Sequence, residues 1–435
     1  MKKTKIILSI IVFAFIVSSC RDEMPVANRP YDYGKDFPSV FESFWTGMNN
    51  NYIFWDVDPT DWDAVYHTYK PKFANLDIES SQDIVTAFRY FEEMTKDLVD
   101  GHLAIVVEKN YQTHLISAGI YPMINPSWKR HEQKSDYHNN DLLGEFILNT
   151  LPSKYLDNAL KGSAQTNAGQ LAMLQGNINS SLANGKKNIC YLHFTGFLIT
   201  PYFTSGQNDV QGFTPISDIL EQFAKAVSNP SLDGVIIDLR GNGGGAVFDL
   251  SILWAHILLG RDLPAGYNRM KIGDGRLDYG PRIPFNISAS DVEGFFAYFG
   301  INFPPRNPRP VTVPIVVLAD LNSVSCAEIS TIALSNLPNG YFVGETTWGG
   351  QGQLIQNNNT HIMYNAGQFN NSFFSMVYTP FVIFESVDGK CYEGKGYSPK
   401  NAPRGYEVKY NKAAIQAGND PQLEKAIEVI ITNSK

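Results

Sequence analysis

Residues 322–328 (Asn-Ser-Val-Ser-Cys-Ala-Glu) combine the residue types of a nucleophile with the pattern of a helix start. An apolar run, 314–320, precedes them, and a helical pattern, 327–337, follows. The Ser325 hydroxyl would lie at the positive end of the helix dipole, which suits an oxygen that becomes negative during attack. Ser325 and Glu328 also have capping-box spacing, which any helix can use. This segment alone leaves catalysis and helix capping both open.

A glycine-rich turn follows another apolar run, residues 234–240. Four glycines lie within residues 241–245, so the backbone can adopt positive φ and direct N–H groups into a cleft. Such N–H groups can bind an oxyanion. The same glycines, with Ala246, fit a dinucleotide-binding fingerprint. The acidic residue at about the expected distance, Asp262, follows a helix end instead of a second strand, which argues against a nucleotide.

The Asp-Gly-His sequence that ends at His102 lies where a helical region meets a predicted strand, residues 104–107. Histidine is the usual general base near neutral pH. Its boundary position and preceding glycine distinguish His102 from His193, in a predicted strand, and His256, in an apolar helix. Glu393 lies in a glycine-rich turn and would have a role in the site only if that turn folds back so that Glu393 orients the histidine.

Regions of different predicted secondary structure position these residues. Apolar periodicity predicts three helices in a small helical domain, 38–99, the second of them capped by Thr60. A connecting region, 100–186, contains the candidate histidine and shows no clear PDZ module. From 187 to 435, strands and helices alternate, which predicts an α/β core. The predicted core strands are 189–197, 234–240, 314–320, 341–345 and 381–385, and the helices are 216–227, 247–259, 327–337 and a last one capped by Asp420.

The N-terminus has the pattern of an export signal. Three lysines precede a 12-residue apolar stretch, 6–17, which is too short to span a bilayer. The Val-Ser-Ser-Cys that follows resembles a bacterial lipobox, although a plain signal peptide ending near a cysteine is the alternative. We expect a signal peptide, 1–19, a lipid-bearing Cys20 and a tether, 20–37. The location expected is the cell envelope, at the outer membrane, with the facing side left open between periplasm and surface.

Composition excludes several classes of protein. With 435 residues, 43% of them hydrophobic, the chain can bury a large core and is not disordered. The net charge is −8 and the sequence has no block of basic residues, so no nucleic-acid partner is expected. Apart from Cys20, three cysteines remain, an odd number that cannot all pair within the chain. No His/Cys cluster has zinc spacing, so neither a metal nor a cofactor is expected.

Taken in chain order, these segments resemble the family of C-terminal-processing (tail-specific) and tricorn-type serine peptidases. The resemblance begins at the Phe-x-x-Phe-Trp of residues 41–45 and continues through the Asp-Gly-His, the glycine turn and the Ser-Cys-Ala-Glu helix start. It ends with the Gly-Glu-Thr-Thr-Trp-Gly of residues 344–349, a Glu-Gly-Lys-Gly turn and residues 422–427. The resemblance implies a crotonase-like ββα spiral core and a serine endopeptidase that hydrolyses peptides or proteins.

The resemblance also separates two branches of that family. The processing peptidases use a Ser–Lys pair, and Gly350 occupies the lysine position in this chain. The tricorn-type branch uses a histidine in the place of His102. This chain departs from the family pattern at two positions, and both concern the acid that would orient the histidine. Gly101 stands where the tricorn pattern has a serine, and Pro-Lys stands where Pro-Asp usually follows the Glu-Gly turn. The implied site is the nucleophile Ser325, the base His102, the orienting Glu393 and an oxyanion hole from Gly243 or Gly244 with Cys326.

A second function stays open on the same fold. Retinoid-binding relatives of this fold hold apolar ligands without proteolysis, and the 27 Phe and 22 Tyr of this chain could line such a pocket. Aromatic residues fill cores more often than they line pockets. A surface adhesin or scaffold with a decayed site is the third alternative. A fluorophosphonate probe separates them, because it labels an activated serine and leaves a pure binding protein unmodified.

Overall fold

The computed structural model describes residues 34–134, 137–185, 188–273, 275–354 and 368–434. It has a mixed α/β architecture with a helical region at the N-terminal side, and this confirms the predicted fold class. The predicted signal peptide, Cys20 and most of the tether lie outside the described residues. In the described part of the chain, no helix combines the length and apolarity needed to cross a bilayer.

Within the described residues, the α-helices are α1 (Phe37–Asn51), α2 (Trp62–Phe73), α3 (Ser81–Thr95), α4 (Lys109–Ser117), α5 (Pro126–Glu132), α6 (Asp141–Glu145), α7 (Leu151–Tyr155), α8 (Ile199–Thr204), α9 (Ile216–Val227), α10 (Phe248–Leu250), α11 (Ser290–Tyr298), α12 (Cys326–Ser335), α13 (Lys412–Gln416) and α14 (Pro421–Asn433). Two π-helical segments (Phe146–Thr150 and Ser251–Leu259) and one 3-10 helix (Pro399–Asn401) accompany them.

The strands are β1 (Ala104–Val107), β2 (Met123–Ile124), β3 (Leu156–Thr166), β4 (Gly169–Ile178), β5 (Ile189–Phe194), β6 (Asn208–Asp209), β7 (Gly234–Asp238), β8 (Leu263–Met270), β9 (Ile283–Ile287), β10 (Ile315–Ala319), β11 (Gly340–Gly344), β12 (Gln368–Phe369), β13 (Phe374–Tyr378), β14 (Val382–Ser386) and β15 (Gly405–Glu407). Each core strand predicted from the sequence is present, with its bounds shifted by at most a few residues. The predicted helix 247–259 is largely π-helical and ends at Gly260, which has the left-handed φ of 64°.

An eight-stranded sheet in the order β15-β11-β10-β7-β5-β4-β3-β6 forms the centre of the molecule. Strands β5, β7, β10, β11 and β15 run parallel, and their helices cover both faces. Val235 and Ile237 of β7 pack with α9 and α12, whereas Ile236 between them packs with α14. Burial on both faces explains why these strands are continuous apolar runs in the sequence.

The sheet extends beyond the boundary that the sequence suggested at residue 187. The long hairpin of β3 and β4 lies in the preceding region and pairs with β5 through β4. The turn of this hairpin contains Asn167 and Ala168. The core therefore includes part of the region that the sequence pattern left unassigned.

The N-terminal helices share their hydrophobic core with a second sheet, in the order β12-β13-β1-β2. Phe373 and Phe374, from the C-terminal half of the chain, pack against Phe91 of α3. Asp61, and not the predicted Thr60, caps α2, because its carboxylate accepts the Ala64 N–H at 2.9 Å. Strand β1 pairs with β13, and this pairing fixes the position of the preceding segment, which carries His102.

A buried ion pair connects the glycine turn to the C-terminal helix. The guanidinium of Arg240 donates to both carboxylate oxygens of Asp238 at 2.9 and 2.6 Å. It also donates to both oxygens of Asp420, the residue that caps α14, at 2.9 and 2.8 Å. All three side chains are buried, so each charge depends on the others for compensation. The capping role predicted for Asp420 is confirmed, and its contact with Arg240 fixes the start of the glycine turn.

Candidate active site

Ser325 lies in a strained turn between β10 and α12. As the N-cap residue of α12 it has φ 58° and ψ −119°, a conformation that costs a non-glycine residue about 1–3 kcal/mol. The turn is held by Ser323, whose hydroxyl donates to Leu239 O at 2.8 Å and accepts from Asp320 N at 3.0 Å. Since β7 and β10 are neighbours, their carboxyl ends place this turn beside the glycine turn.

The glycine turn lies in direct contact with Ser325. A Cβ atom on Gly244, which has φ 84°, would lie 2.6 Å from the Ser325 Cβ atom, so only glycine fits there. The side chain of Asn242 holds the turn by donating to Phe194 O at 2.7 Å and accepting the Gly244 N–H at 2.9 Å. The Gly244 N–H is thus already engaged.

Two backbone N–H groups beside Ser325 remain available to a ligand. Within the described residues, the N–H groups of Gly243 and Cys326 donate to no protein acceptor. Both residues line the same cavity as Ser325. The N–H of Cys326 also belongs to the first turn of α12, where the helix dipole favours negative charge. This arrangement can receive an oxyanion.

His102 follows a buried turn that joins the helical region to β1. The backbone N–H of His102 donates to Asp100 Oδ1 at 2.7 Å. The other carboxylate oxygen of Asp100 accepts from Thr379 Oγ1 at 2.6 Å. A Cβ atom on Gly101 would lie 2.3 Å from Gly349 O, which leaves no room for a side chain. This close approach explains the glycine at the position where the tricorn pattern has a serine.

Gly350 lies between the serine and the histidine. Its carbonyl oxygen accepts the Ser325 N–H at 2.9 Å, and a Cβ atom on it would lie 3.3 Å from Cε1 and Nδ1 of His102. The imidazole therefore occupies the space that a larger residue at position 350 would need. This packing gives a physical reason why the lysine of the Ser–Lys branch is absent here.

Two buried glutamates hold residues 347–352, which we call the clamp segment. On the Ser325 side, Glu328 of α12 accepts the N–H groups of Gly349 at 2.8 Å and Gly350 at 2.7 Å, together with the Thr347 hydroxyl at 2.6 Å. Glu328 Oε2 also accepts the Ser325 N–H at 3.3 Å. One helix residue thus joins the nucleophile turn to the clamp segment.

Glu393 holds the other end of the clamp segment and the turn before His102. Its Oε1 accepts the Gly101 N–H at 2.8 Å, and its Oε2 accepts those of Gln351 at 2.8 Å and Gly352 at 2.9 Å. These three bonds go to backbone groups, so Glu393 positions His102 through the preceding residue. The Nδ1 atom of His102 is buried and has no hydrogen-bond partner among the described residues.

The electrostatics around His102 favour its neutral form. A ring nitrogen of His102 and one oxygen each of Asp100 and Glu393 lie within 4.8 Å of one another. Burial lowers the pKa of His102 to about 4 and raises the pKa of Asp100 to about 7. Burial, reinforced by the charge of Asp100, raises the pKa of Glu393 well above its usual range. An imidazole that is neutral at pH 7 can accept a proton.

The same three groups are close enough to be considered as metal ligands. Both oxygens of Glu393 already accept backbone N–H groups, and both oxygens of Asp100 accept protein donors. The positive ends of these donors point at the oxygens that would have to bind a cation. The donor set is therefore better suited to holding a histidine than to holding a metal ion.

Ser325 and His102 line one cavity of about 590 Å³. Gly243, Gly245 and Cys326 line it beside Ser325, and Tyr378 of β13 lines it as well. Asn167 and Ala168, at the tip of the β3–β4 hairpin, also line the cavity. The structure thus brings the predicted nucleophile, base and N–H donors to a single cleft, with Glu393 behind the histidine.

The sequence pattern did not assign functions to Asp100 and Glu328. Asp100 was visible in the Asp-Gly-His sequence, and a polar residue two positions before a candidate base is a signal for backbone support. Glu328 was visible as the third helix residue of a capping box. Its hydrogen bonds to residues about 20 positions further along the chain had no local signal.

Comparison with known proteins identifies the family of this chain. The chain matches peptidase family S41 over residues 188–399 and the tricorn protease C1 domain over residues 33–77. The chain belongs to the S41 peptidase family. The resemblance inferred from its motifs is therefore confirmed, and the protein is a peptidase. No curated protein sequence matches this S41 peptidase.

Two solved structures share the fold of this S41 peptidase over most of its length. A proposed peptidase from Parabacteroides merdae ATCC 43184 is similar with a TM-score of 0.59 and 18% identity, covering 90% of this chain and 95% of that one. Mature CPAF in complex with lactacystin is similar with a TM-score of 0.54 and 12% identity, covering 92% and 99%. At these identities the similarity establishes the fold alone.

The contact of Gly101 with the clamp segment generates a prediction. In Gly101→Ala the added methyl group would collide with Gly349 O, so the segment carrying His102 must shift. We expect kcat/KM for peptide hydrolysis to fall by about 100-fold, the usual effect of a misplaced catalytic group. Gly144→Ala is the matched control, because a Cβ atom there meets no atom within 4 Å. Equal activity of both variants would contradict the positional role of Gly101.

Proposed function

We propose that this peptidase is a serine endopeptidase in which Ser325 forms an acyl-enzyme and His102 is the general base. The observation that carries the proposal is the joint position of the two residues on one cavity, with Gly350 in contact with both. The strained turn at Ser325 supports it, because such strain is retained at functional sites. Glycine at position 350 excludes a lysine base there.

In the acylation step, the Ser325 hydroxyl attacks the scissile carbonyl carbon and transfers its proton to His102. Since Nδ1 of His102 is enclosed, Nε2 is the nitrogen that accepts this proton. The C–N bond then breaks, and the imidazolium returns the proton to the leaving amine. Water repeats the sequence in deacylation and releases the carboxylic acid.

The other residues of the site act on the two charges that form during the reaction, the negative charge on the substrate oxygen and the positive charge on His102. The N–H groups of Gly243 and Cys326 are the proposed oxyanion hole, and such donors contribute about 10²–10³ in rate each. Gly244 is not one of these donors, because its N–H already donates to Asn242. Its role is to leave room for the serine turn. Asp100 and Glu393 each have a carboxyl oxygen within 4.8 Å of a ring nitrogen of His102, so a negative charge on either group would stabilise the imidazolium that forms there.

Internal cleavage is supported by the charges of the cleft. Among the described residues, no lysine or arginine side chain lines the cavity. A free C-terminal carboxylate would have no cation to pair with, whereas an internal peptide segment is uncharged along its backbone. We therefore assign an internal segment of a protein or peptide as the substrate.

Labelling tests the nucleophile and the base. A fluorophosphonate probe should modify the wild-type protein at Ser325, and Ser325→Ala should abolish this labelling. We expect Ser325→Ala and His102→Ala to lower kcat by roughly 10⁴–10⁶-fold, as for residues that act as one catalytic unit. Ser153→Ala, a change at an exposed helix residue, is the control and should keep full activity.

Each outcome distinguishes the functions considered. Full activity of both Ser325→Ala and His102→Ala would overturn the assignment of nucleophile and base. A wild-type protein that resists the probe but binds an apolar ligand would favour the binding protein instead. A protein with neither property would favour a scaffold with a decayed site.

The low pKa of His102 predicts the pH dependence of hydrolysis. Only the neutral imidazole accepts the serine proton, so activity is present above the pKa of His102 and is lost as the pH falls through it. Because burial lowers that pKa from 6.5 to about 4, kcat/KM should fall to half at about pH 4. A midpoint at pH 6 or above, measured while the protein stays folded, would contradict this electrostatic account.

We also propose that Cys20 carries lipid and attaches the peptidase to the cell envelope. The support is the basic, apolar and Val-Ser-Ser-Cys pattern of the first 20 residues. Metabolic labelling with a radioactive fatty acid should mark the wild-type chain and not Cys20→Ala. Equal labelling of both chains would place the modification elsewhere, and no labelling of either would favour a plain signal peptide.

A further inference from the structure

Five apolar residues line part of the cavity that contains Ser325, and we call the surface they form the recess. Ile329 lies in α12, four residues after Ser325, the N-cap residue of that helix. Ala246 and Val247 follow the glycine turn directly. Leu198 follows Phe197, whose carbonyl oxygen accepts the Ala246 N–H at 2.8 Å, and Pro201 lies three residues further along the chain. Each of these five side chains is apolar, and each lines the cavity that contains Ser325.

The geometry of acyl transfer places one substrate side chain in this recess. The carbonyl carbon must contact Ser325 Oγ while its oxygen meets the N–H groups of Gly243 and Cys326. The residue that supplies this carbonyl then has its Cα atom next to the same two turns. Its side chain must lie among the residues that follow those turns, which include Val247 and Ile329.

The walls of the recess are fixed before a substrate binds. Buried Asp249 accepts the N–H groups of Ile199 at 2.7 Å and Thr200 at 2.8 Å, which holds the start of α8 beside the cavity. The Cys326 thiol donates to Gly245 O at 3.2 Å and connects the two turns. A recess with such fixed walls selects by shape and polarity, since its residues do not rearrange freely.

The recess offers no charge to a substrate side chain. Among the described residues, no Asp, Glu, Lys or Arg lines the cavity. Buried Asp249, beside the start of α8, directs its oxygens at the N–H groups of Ile199 and Thr200 and at the Thr200 hydroxyl. A charged side chain entering the recess would lose water without gaining a partner, which is costly.

We propose that this recess selects substrates with an uncharged apolar side chain on the residue that supplies the scissile carbonyl, and that Val247 determines this preference. The inference rests on the proposed serine mechanism and adds the substrate class to it. Val247 is suited to the role because it lines the recess yet is 37% exposed, so its side chain can be changed without emptying the core.

The experiment uses fluorogenic peptides that differ only at the residue before the scissile bond, which is Leu, Val, Lys or Asp. With the wild-type protein, kcat/KM for Leu and Val should exceed that for Lys and Asp by about 100-fold. Val247→Asp should raise the Lys-to-Leu ratio by at least about 10-fold, and Val247→Lys should raise the Asp-to-Leu ratio similarly. Because Val247 is 37% exposed, both variants should fold.

Val210→Asp is the matched control, because Val210 is 38% exposed and does not line the cavity. It should leave both ratios unchanged. Wild-type cleavage after Lys or Asp as fast as after Leu would overturn the inference, and so would an equal shift in Val210→Asp. Either result would leave the serine mechanism intact, whereas absence of both probe labelling and cleavage would remove the mechanism and the inference with it.

Discussion

The candidate site depends on the placement of one backbone segment by two buried carboxylates. Glu328 belongs to the helix that Ser325 begins, and Glu393 accepts the N–H of the residue before His102. Both glutamates bind the clamp segment between them, so the relative positions of Ser325 and His102 are set by hydrogen bonds to the backbone. Both glutamate side chains are buried, so these hydrogen bonds are shielded from water and are stronger than they would be at the surface. Loss of either glutamate side chain would therefore displace Ser325 and His102 relative to each other.

Glycines make this placement possible by allowing backbones to approach one another. Gly244 contacts the serine turn, and Gly101 and Gly350 let the histidine segment pack against the clamp segment without side chains between them. The strain at Ser325 is balanced by this surrounding network. The result is a site whose groups are positioned before substrate arrives, which is the condition for electrostatic catalysis.

Much of the site was predictable because its signals are local in sequence. Ser325 and His102 were identified from short patterns, and the parallel strands from continuous apolar runs. The β3–β4 hairpin was not predicted, because Asn, Gly and Gln interrupt it and its strands form through pairing with neighbours more than through propensity. Glu393 was expected to orient the histidine, but its bonds to backbone N–H groups, like those of Glu328, were not predicted, since the partners are far away in the chain. Of the predicted oxyanion donors, Gly244 has its N–H bonded to Asn242, a detail that only the folded turn determines.

The pairing of Arg240 with Asp420 has a consequence for biosynthesis. The guanidinium that fixes the start of the glycine turn meets its second carboxylate 180 residues further along the chain. A chain that has not yet been synthesised as far as Asp420 lacks that partner, and burying Arg240 with Asp238 alone would leave its charge less well compensated. A ribosome-bound precursor, or a product cut short before Asp420 by a premature stop codon, therefore cannot fix the glycine turn as the folded domain does.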